Sequence, residues 1–503
     1  MNLLDDAWIP VWDQDGQWRE LGLLDVMREA SALGEVAAES ADQTRGIYRL
    51  LIAVVYHACP GRTWDQLLAA GGLPVDEICS YLVARRGRFD LEVALQYASQ
   101  PFSDSPTAGL DRLLWSDGPY PVGARVPAAV AAAVAARQLL ARMLFDPSGI
   151  RTGLADDPMS SSGGKSMPIG PAHLALAPTT LVIAPTLAET LAWNLPSRPS
   201  SPGAGVEDTP LWDDDPARPR GSYKPGQVGA GRVLVWPSRR LLLRHSPDGQ
   251  EVTGAVLANG DRLELDNLHT VEPHGLWRQK NPPAPDNGGE RKRRRSKDGK
   301  PLPIRPRRPE QLHTVWEPLI DRGGPRPIGL QRLFNPPQGV TPPETMRVET
   351  VTTLLGPHGS TIIDITATSL QIDTRKLGDR LKHLPLLDEF ITTTIGYLLQ
   401  AHLARNPYLE DQQALREDLT ARHTATIAPV IDAYLIGDPL DHQQLSQWVH
   451  HIQQELENLT TPSKPEPGQH TVALPAILDH TYRKLTQKLT HNKLIPQPAA
   501  TVQ

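Results

Sequence analysis

Small polar residues around one lysine form the part of this sequence best suited to contact a phosphate or the wall of a nucleic-acid groove. They lie at the centre of residues 146–173, a loop-like segment rich in Gly, Ser and Pro that has no apolar period; loops of that length are commonly functional or disordered. Small side chains let the backbone approach a ligand, and a lysine adds positive charge. The candidate contacts are Ser160, Ser161, Ser162, Gly163, Gly164 and Lys165. The alternative is a surface loop that binds no ligand.

Gly164-Lys165-Ser166 invites comparison with the phosphate-binding loop of nucleoside triphosphatases. That motif requires a glycine where this chain has Met159, and it requires a preceding strand, which the pattern here does not predict. The sequence therefore does not predict a nucleoside triphosphate site.

A basic segment within residues 285–310, predicted to be a flexible insertion, is a second candidate for phosphate contact. Its cations are Arg291, Lys292, Arg293, Arg294, Arg295, Lys297, Lys300, Arg305, Arg307 and Arg308. Between residues 290 and 308 only Glu290 and Asp298 oppose them, although the whole chain carries a formal net charge of −6. Such a block repels itself and commonly binds nucleic acid through phosphates. We therefore predict that residues 291–295 contact a polyanion; a solvated insertion is the alternative.

The sequence contains no arrangement of residues typical of a catalytic centre. It lacks a His-Glu-x-x-His zinc motif, a Gly-x-Ser-x-Gly nucleophile motif and a Cys/His nucleophile arrangement. Its two cysteines, Cys59 and Cys79, exclude a disulfide framework and a cysteine-based zinc site within the chain. The carboxylates of residues 213–215 are predicted to be solvated in a loop. We therefore predict no enzymatic activity, no metal and no cofactor.

The elements that would position these candidates indicate an α+β fold. At 503 residues the chain is too long for one ordinary core, and a hydrophobic fraction of 39% is enough to form buried cores. Helices are predicted at residues 44–59 and 127–145. Between residues 232 and 271 the apolar period changes to two, and Asn259-Gly260 between alternating runs predicts a hairpin turn.

The pattern changes again toward the C-terminus. Two strands are predicted around a turn at residues 356–359, and they are followed by amphipathic helices at residues 386–405, 410–434, 441–459 and 471–489. Four helices with short connectors predict an antiparallel four-helix bundle. We therefore predict a mixed domain of helices and antiparallel β segments at residues 1–378, followed by a C-terminal four-helix bundle at residues 379–495.

Cellular location is predicted from two patterns. The N-terminus has no basic segment followed by an apolar one, and no apolar run reaches the roughly 20 residues needed to span a bilayer. We therefore expect a soluble cytoplasmic protein without membrane contact.

Several features, in order along the chain, together resemble one known family. The chain opens with NLLDDAWIPV, Gln100-Pro101-Phe102 follows, and Gly275-Leu276-Trp277 comes after the β-rich segment. These motifs and the predicted bundle resemble the large subunit (CasA) of the type I-E Cascade complex, an RNA-guided DNA-surveillance assembly of CRISPR antiviral defence. The resemblance extends over essentially the whole chain.

The resemblance implies a binding protein. It would recognise the protospacer-adjacent motif (PAM) in double-stranded DNA, help to open the duplex into an R-loop with the guide RNA, and provide a platform for a helicase-nuclease recruited in trans. The implied partners are other Cascade subunits, guide RNA and double-stranded target DNA. An assembly scaffold that does not read DNA is an alternative, and a metal-dependent nuclease is another.

The resemblance also implies two DNA-contacting elements. A loop that approaches the minor groove of the PAM corresponds to residues 160–164, where serines stand in place of two glycines of the family. A wedge that separates the first base pairs corresponds to Pro357, His358 and Gly359, where family members commonly have a glutamine.

Two further contacts are implied. A lysine that contacts the PAM corresponds to the neighbourhood of Asn267 and His269, where this chain has no lysine. A loop at the 5′ end of the guide RNA corresponds to residues 116–126, with Tyr120 as the stacking residue.

Overall fold

The computed structural model divides the chain into two compact units, one formed by residues 1–307 and 322–367 and the other by residues 308–321 and 368–503. The residues it describes are 1–92, 109–114, 126–153, 160–161, 165–198, 205–215, 218–278, 301–305, 319, 325–336, 339–406, 412–436, 438–460, 480, 482–484 and 486–487.

Helices and mainly antiparallel sheets alternate along the chain, which confirms the predicted α+β class. The helices before residue 368 are α1 (Leu23–Glu29), α2 (Ala41–Ala58), α3 (Trp64–Ala69), α4 (Val75–Val83), α5 (Ala132–Phe145), α6 (His173–Leu176), α7 (Leu187–Trp193), α8 (Ala230–Leu234) and α9 (Ile328–Phe334). The strands are β1 (Ile9–Asp13), β2 (Trp18–Leu21), β3 (Leu33–Val36), β4 (Val130–Ala131), β5 (Arg151–Thr152), β6 (Ser160–Ser161), β7 (Lys165–Ser166), β8 (Thr179–Ile183), β9 (Ser222–Tyr223), β10 (Arg239–His245), β11 (Glu251–Asn259), β12 (Arg262–Leu263), β13 (Trp277–Arg278), β14 (Leu302–Pro303), β15 (Thr345–Leu355) and β16 (Ile362–Asp373).

Two sheets of the first unit position the candidate loops. The larger has the strand order β10-β11-β5-β7-β6, with β4 paired to β11. The other has the order β16-β15-β8, and β15 runs antiparallel to β8. Further sheets pair β2-β1-β3, β12-β9 and β13-β14.

The core of the first unit is built around α2, which is buried on nearly all sides. It packs against α5, and Gly46 permits the close approach, since a β-carbon there would lie 3.2 Å from Cβ of Leu140. Two arginines of α2 are buried with their charges paired: Arg45 binds Glu349, and Arg49 binds Glu272 at 2.7 Å. A buried charge is tolerated only when it is paired and hydrogen-bonded, so these pairs fix how β15 and the segment before β13 lie against the helix.

The predicted hairpin turn at Asn259-Gly260 is wrong. Strands β10 and β11 are instead joined at the opposite end, through residues 246–250, and Asn259 pairs with Arg239 at the far end of the ladder. Asp248 stabilises the true turn, because its carboxylate accepts hydrogen bonds from the Ser246 hydroxyl (2.6 Å) and the Gln250 amide (3.1 Å). Asp248-Gly249 and Asn259-Gly260 both favour a turn. The register of the apolar strands decides that the turn forms at the first pair.

The carboxylates of residues 213–215 were predicted to be solvated, which is wrong for two of them. Asp214 binds Arg232 at 2.8 Å and Arg218 at 2.9 Å, and its side chain is only 8% exposed. Asp213 binds Arg85 at 3.0 Å. These carboxylates therefore stabilise the packing of an otherwise irregular segment.

Long helices dominate the second unit. They are α10 (Thr374–Arg405), α11 (Gln412–Ile436) and α12 (His442–Thr460), and each has an apolar face that is buried. Three of the predicted helices therefore form, the first beginning earlier than expected. The predicted fourth helix lies mostly outside the described residues. In the described part of the chain, no helix is both long and apolar enough to cross a membrane.

Candidate nucleic-acid interface

The central loop (residues 146–173) is partly a β-hairpin, although the sequence predicted no strand in it. Strands β6 and β7 pair Ser160 with Ser166 and Ser161 with Lys165. Strand β7 also pairs with β5, which joins the edge of β11. Strands β6 and β7 thus extend the large sheet. We call residues 160–165 the loop tip; residues 162–164 lie outside the described residues.

Asn259 anchors the returning side of this hairpin. Its Nδ2 donates hydrogen bonds to Oγ of Ser166 at 3.1 Å and to the carbonyl of Met167 at 2.9 Å. The asparagine is buried at the end of β11. The residue whose turn propensity misled the sequence prediction therefore holds the loop to the sheet.

The base of the central loop is built on a buried carboxylate, Asp146, at the C-terminal end of α5. It binds Arg142 at 2.7 Å, Arg151 at 2.7 Å and Arg239 at 2.5 Å. The side chains of Asp146 and Arg239 are fully buried. We call these four residues the Asp146 cluster.

The electrostatics of the cluster keep its carboxylate ionised. Burial, together with the negative end of the α5 dipole, opposes the charge on Asp146. Burial alone would raise the pKa of Asp146, but Arg239, Arg142 and Arg151 outweigh it and lower that pKa to about 2. The cluster is therefore fully charged at physiological pH.

Both ends of the central loop meet at this cluster. The Asp146 carbonyl accepts a hydrogen bond from the Ala172 amide at 2.8 Å. Nη2 of Arg239 donates to the carbonyl of Pro147 at the start of the loop and to that of Gly170 near its end, both at 2.9 Å. One guanidinium thus closes the loop.

The turn at residues 357–359, the candidate wedge, lies against the same base. The Ser148 amide donates to the Gly359 carbonyl at 2.7 Å, and a β-carbon at Gly359 would lie 2.8 Å from Cγ of Pro171. Pro357 and His358 are exposed at the tip, and His358 has a left-handed backbone with φ of 59°. Non-glycine residues adopt this conformation rarely and at some cost, so surrounding contacts hold the turn.

Two exposed apolar side chains lie on the segments that join at this turn and its contact with Ser148. Ile150, two residues after Ser148, is 54% exposed, and Ile363, on the strand after the turn, is 49% exposed. Neither is shielded from solvent, so both are available for contact with a partner surface.

The cluster also supports the segment that precedes the predicted guide-RNA loop. Nε of Arg142 donates to the Leu113 carbonyl at 2.7 Å, and Nη2 donates to the carbonyls of Asp111 and Leu114. Residues 115–125 lie outside the described residues, and Tyr120 is among them. The predicted phosphate contacts at residues 291–295 also lie outside them, as does Gln100-Pro101-Phe102.

His269 lies in a separate turn, Leu268–Thr270, and Asn267 immediately precedes that turn. Asn267 is exposed and has a left-handed backbone with φ of 65°. His269 is half-buried against Trp277, edge to face, and burial lowers its pKa. The hydrogen bonds of this turn run to Leu265 and Glu272 within its own segment.

Sequence reasoning missed the Asp146 cluster, because Arg239 is 93 residues from Asp146 along the chain. Two signals were present. Arg142 precedes Asp146 by four residues on a helix, and Arg239-Arg240 begins a strand that is otherwise apolar. Arginines inside a buried strand require an anion, and a helix-terminal aspartate can supply it. Within the described ranges, no three His, Cys, Asp or Glu side chains are placed to hold a metal ion.

Comparison with known proteins gives a consistent result. The family model of "CRISPR-associated protein Cse1" matches residues 2–385. Solved structures with the same fold include Cse1 of Thermobifida fusca, with 22% identity, a TM-score of 0.70 and coverage of 99% of both chains. Cse1 of Acidimicrobium ferrooxidans has 20% identity, a TM-score of 0.69 and the same coverage.

A third similar structure is a chain of a "CRISPR RNA-guided surveillance complex", with 18% identity, a TM-score of 0.68 and coverage of 97% of this chain and 99% of that one. No curated protein sequence matches the chain. At these identities the structural similarity shows a shared fold.

Proposed function

The chain belongs to the Cse1 (CasA) family of CRISPR-associated proteins, and we propose that it is the large subunit of an RNA-guided DNA-surveillance complex. In that role it recognises the PAM in double-stranded DNA and helps to open the duplex for guide-RNA pairing. It catalyses no reaction itself and recruits a helicase-nuclease. Its partners are the other Cascade subunits, the guide RNA and the target DNA.

The observation that carries this proposal is the contact between the central loop and the 357–359 turn. The hydrogen bond from Ser148 to Gly359 joins them directly at 2.7 Å. Successive bases of a strand are about 3.4 Å apart along the duplex, so a motif reader and an element that opens the next base pairs must be close neighbours. The base of the central loop and the 357–359 turn are in direct contact, which supports this arrangement.

The loop tip is suited to the minor groove. That groove is narrow and presents a degenerate pattern of hydrogen-bond groups, so a reader there needs a slim backbone more than long side chains. Serines and glycines at residues 160–164 provide such a backbone, and Lys165 adds a charge for the flanking phosphates. The hairpin pairing of β6 and β7 gives the tip a fixed support.

The 357–359 turn is suited to separating base pairs by apolar contact. Proteins that kink or open DNA insert apolar side chains between base steps, at a cost of a few kcal/mol per step. Pro357 at the tip of the turn, Ile363 on the strand after it and Ile150 near Ser148 are exposed side chains of that kind. This chemistry does not require the glutamine common in the family.

The remaining contacts complete the proposal. Tyr120 stacks at the 5′ end of the guide RNA, Asn267 and His269 approach the PAM from a second turn, and residues 291–295 bind phosphates. The C-terminal helices form a four-helix bundle that contacts neighbouring subunits. These roles follow from the family and from the residue types.

Substitution of the loop tip tests the proposal. In the reconstituted complex, Lys165→Ala should weaken binding to duplex and reduce the slope of log affinity against log salt by about 1. Replacing residues 161–164 with bulky residues should abolish the preference among duplexes whose flanking bases are randomised. Lys224→Ala, at an exposed lysine elsewhere in the same unit, is the control and should change neither quantity. Unchanged affinity and preference in both loop variants would refute the loop assignment.

The basic segment is tested separately. Changing residues 291–295 to glutamine removes five charges from the chain, so affinity for DNA should fall and its salt dependence should become shallower. An unaltered salt slope would show that this segment does not contact phosphates.

A further inference from the structure

The Asp146 cluster joins segments that the proposed function assigns to different steps. Both ends of the central loop are held through Ala172 and Arg239. The 357–359 turn is held through Ser148, two residues after Asp146. The segment before residue 115 is held through Arg142.

These attachments leave the loop base little freedom to move by itself. The three guanidiniums share one buried carboxylate, and their other N–H groups donate to backbone carbonyls, including those of Leu113, Pro147 and Gly170. Moving any one segment would leave buried charged donors without acceptors, which is strongly unfavourable.

The loop tip has a second attachment, through backbone pairing and Asn259, that does not depend on the side chains of the cluster. Strand β7 pairs with β5, and Asn259 binds Ser166 and Met167. Among the described residues, by contrast, the turn meets the loop where Gly359 contacts Ser148 and Pro171, at the two ends of the loop beside the cluster. Loss of the cluster should therefore separate the turn from the loop while the tip stays on its sheet.

We propose that Asp146 is a positioning residue that couples the central loop to the 357–359 turn, so that docking of the flanking duplex and opening of the adjacent base pairs occur together. This inference rests on the proposed function of the two elements. Asp146 does not touch DNA; it acts by fixing the relative position of two elements that do.

The test compares closed and pre-opened DNA. One duplex is fully paired, and a second has mismatches at the first target base pairs, so it needs no opening; both carry the flanking bases selected from a randomised pool by the unmodified complex. With Asp146→Asn, affinity for the closed duplex should fall about ten-fold, the size expected for a lost charged hydrogen bond. Affinity for the pre-opened duplex, and its dependence on the flanking bases, should stay unchanged.

Asp214→Asn is the matched control. Asp214 also binds two guanidiniums in a mostly buried site, but those of Arg218 and Arg232 also bind Asp261 and the Thr209 carbonyl, which are not part of the central loop or the turn. This variant should bind both duplexes as the unmodified chain does. A closed-duplex defect in Asp214→Asn as large as that in Asp146→Asn would show that general destabilisation explains both.

A second pair of variants remains informative if Asp146→Asn does not fold. Ser148→Pro removes the amide that donates to Gly359, whereas Ser148→Ala keeps it. Only the proline variant should lose affinity for closed duplex and recover it on the pre-opened one.

The outcomes separate this inference from the proposed function. Equal losses on closed and pre-opened duplexes in Asp146→Asn and Ser148→Pro would overturn the coupling and leave Asp146 as a support of the loop alone. If the unmodified complex itself shows no dependence on flanking bases, the proposed function fails, and the coupling fails with it.

Discussion

Asp146 and Asp214 have the same chemistry but are attached to different parts of the first unit. Each carboxylate binds more than one guanidinium in a site with little solvent. The arginines around Asp146 also hold backbone carbonyls at both ends of the central loop. Arg232, which binds Asp214, is buried and instead donates a hydrogen bond to the Thr209 carbonyl. The backbone segments that a buried ion cluster holds together therefore indicate the role of the cluster better than its charge does.

The largest expected effect is on stability, and it should be similar at the two sites. Removing one partner of a buried ion pair leaves uncompensated charge and typically costs about 3–5 kcal/mol. Asp146→Asn and Asp214→Asn should therefore both lower the free energy of unfolding by about that amount, measured by urea denaturation. Because the side chain of Asp146 is fully buried and that of Asp214 is not, Asp146→Asn should lower the free energy of unfolding more than Asp214→Asn. A loss below about 1 kcal/mol at Asp146 would show that its arginines find other acceptors.

Lowering the pH should destabilise the fold through histidines with a lowered pKa before it protonates Asp146. Burial, followed by Arg198, lowers the pKa of His57 to about 4, and burial, followed by Arg49, lowers that of His274 to about 3. Below the ordinary value of 6.5 the unfolded chain binds protons that the folded chain does not. The free energy of unfolding should therefore fall by about 1.4 kcal/mol per pH unit for each histidine, between pH 6.5 and their folded pKa values.

The Asp146 cluster loses its contribution to stability over a different pH range. The ordinary pKa of an aspartate is 3.8, and that of Asp146 is about 2, so its contribution is complete above pH 3.8 and is lost only as pH falls toward 2. His57→Phe should reduce the dependence of the free energy of unfolding on pH near pH 6 by about 1 kcal/mol per pH unit, and it should leave DNA affinity per folded molecule unchanged. A slope that is the same with and without His57 would contradict the assignment.

The smallest expected effect comes from comparing two glycines, which separates the cost of a left-handed backbone from the effect of a close contact. Gly359 and Gly71 both have left-handed backbones, with φ of 67° and 73°. A β-carbon meets open space at Gly71 but lies 2.8 Å from Pro171 at Gly359. Each alanine substitution should cost about 1 kcal/mol through the left-handed backbone.

Only Gly359→Ala should also push the turn away from the loop and weaken binding to closed duplex. Thermal unfolding and duplex titration of both variants provide the check. Equal binding by the two would show that the close approach of Gly359 and Pro171 is not required.

The sequence predicts the elements of this fold better than their junctions. The α+β class, α2, α5 and the strands around the 357–359 turn follow from apolar periods, which depend on local burial. The turn between β10 and β11 does not, because two turn signals compete and tertiary register chooses between them. The Asp146 cluster is hidden for a related reason: Arg239 is brought to Asp146 only by the sheet.

For the candidate site too, the sequence predicts the residue types better than their spatial arrangement. Residue types at 160–165 indicate a groove-contacting loop, and motif order indicates the family, which the family model confirms. That the loop is a hairpin on the large sheet, and that the turn lies against its base, depends on pairings such as Thr152 with Lys165 that no local pattern encodes.

The most direct test of the account is a duplex-binding titration of the surveillance complex reconstituted with and without this chain, using targets whose flanking bases are randomised. We predict that the complex with the chain selects particular flanking bases and binds those duplexes tightly, and that this selection disappears without it. Binding that is equally tight and equally unselective with and without the chain would contradict the account and favour an assembly scaffold.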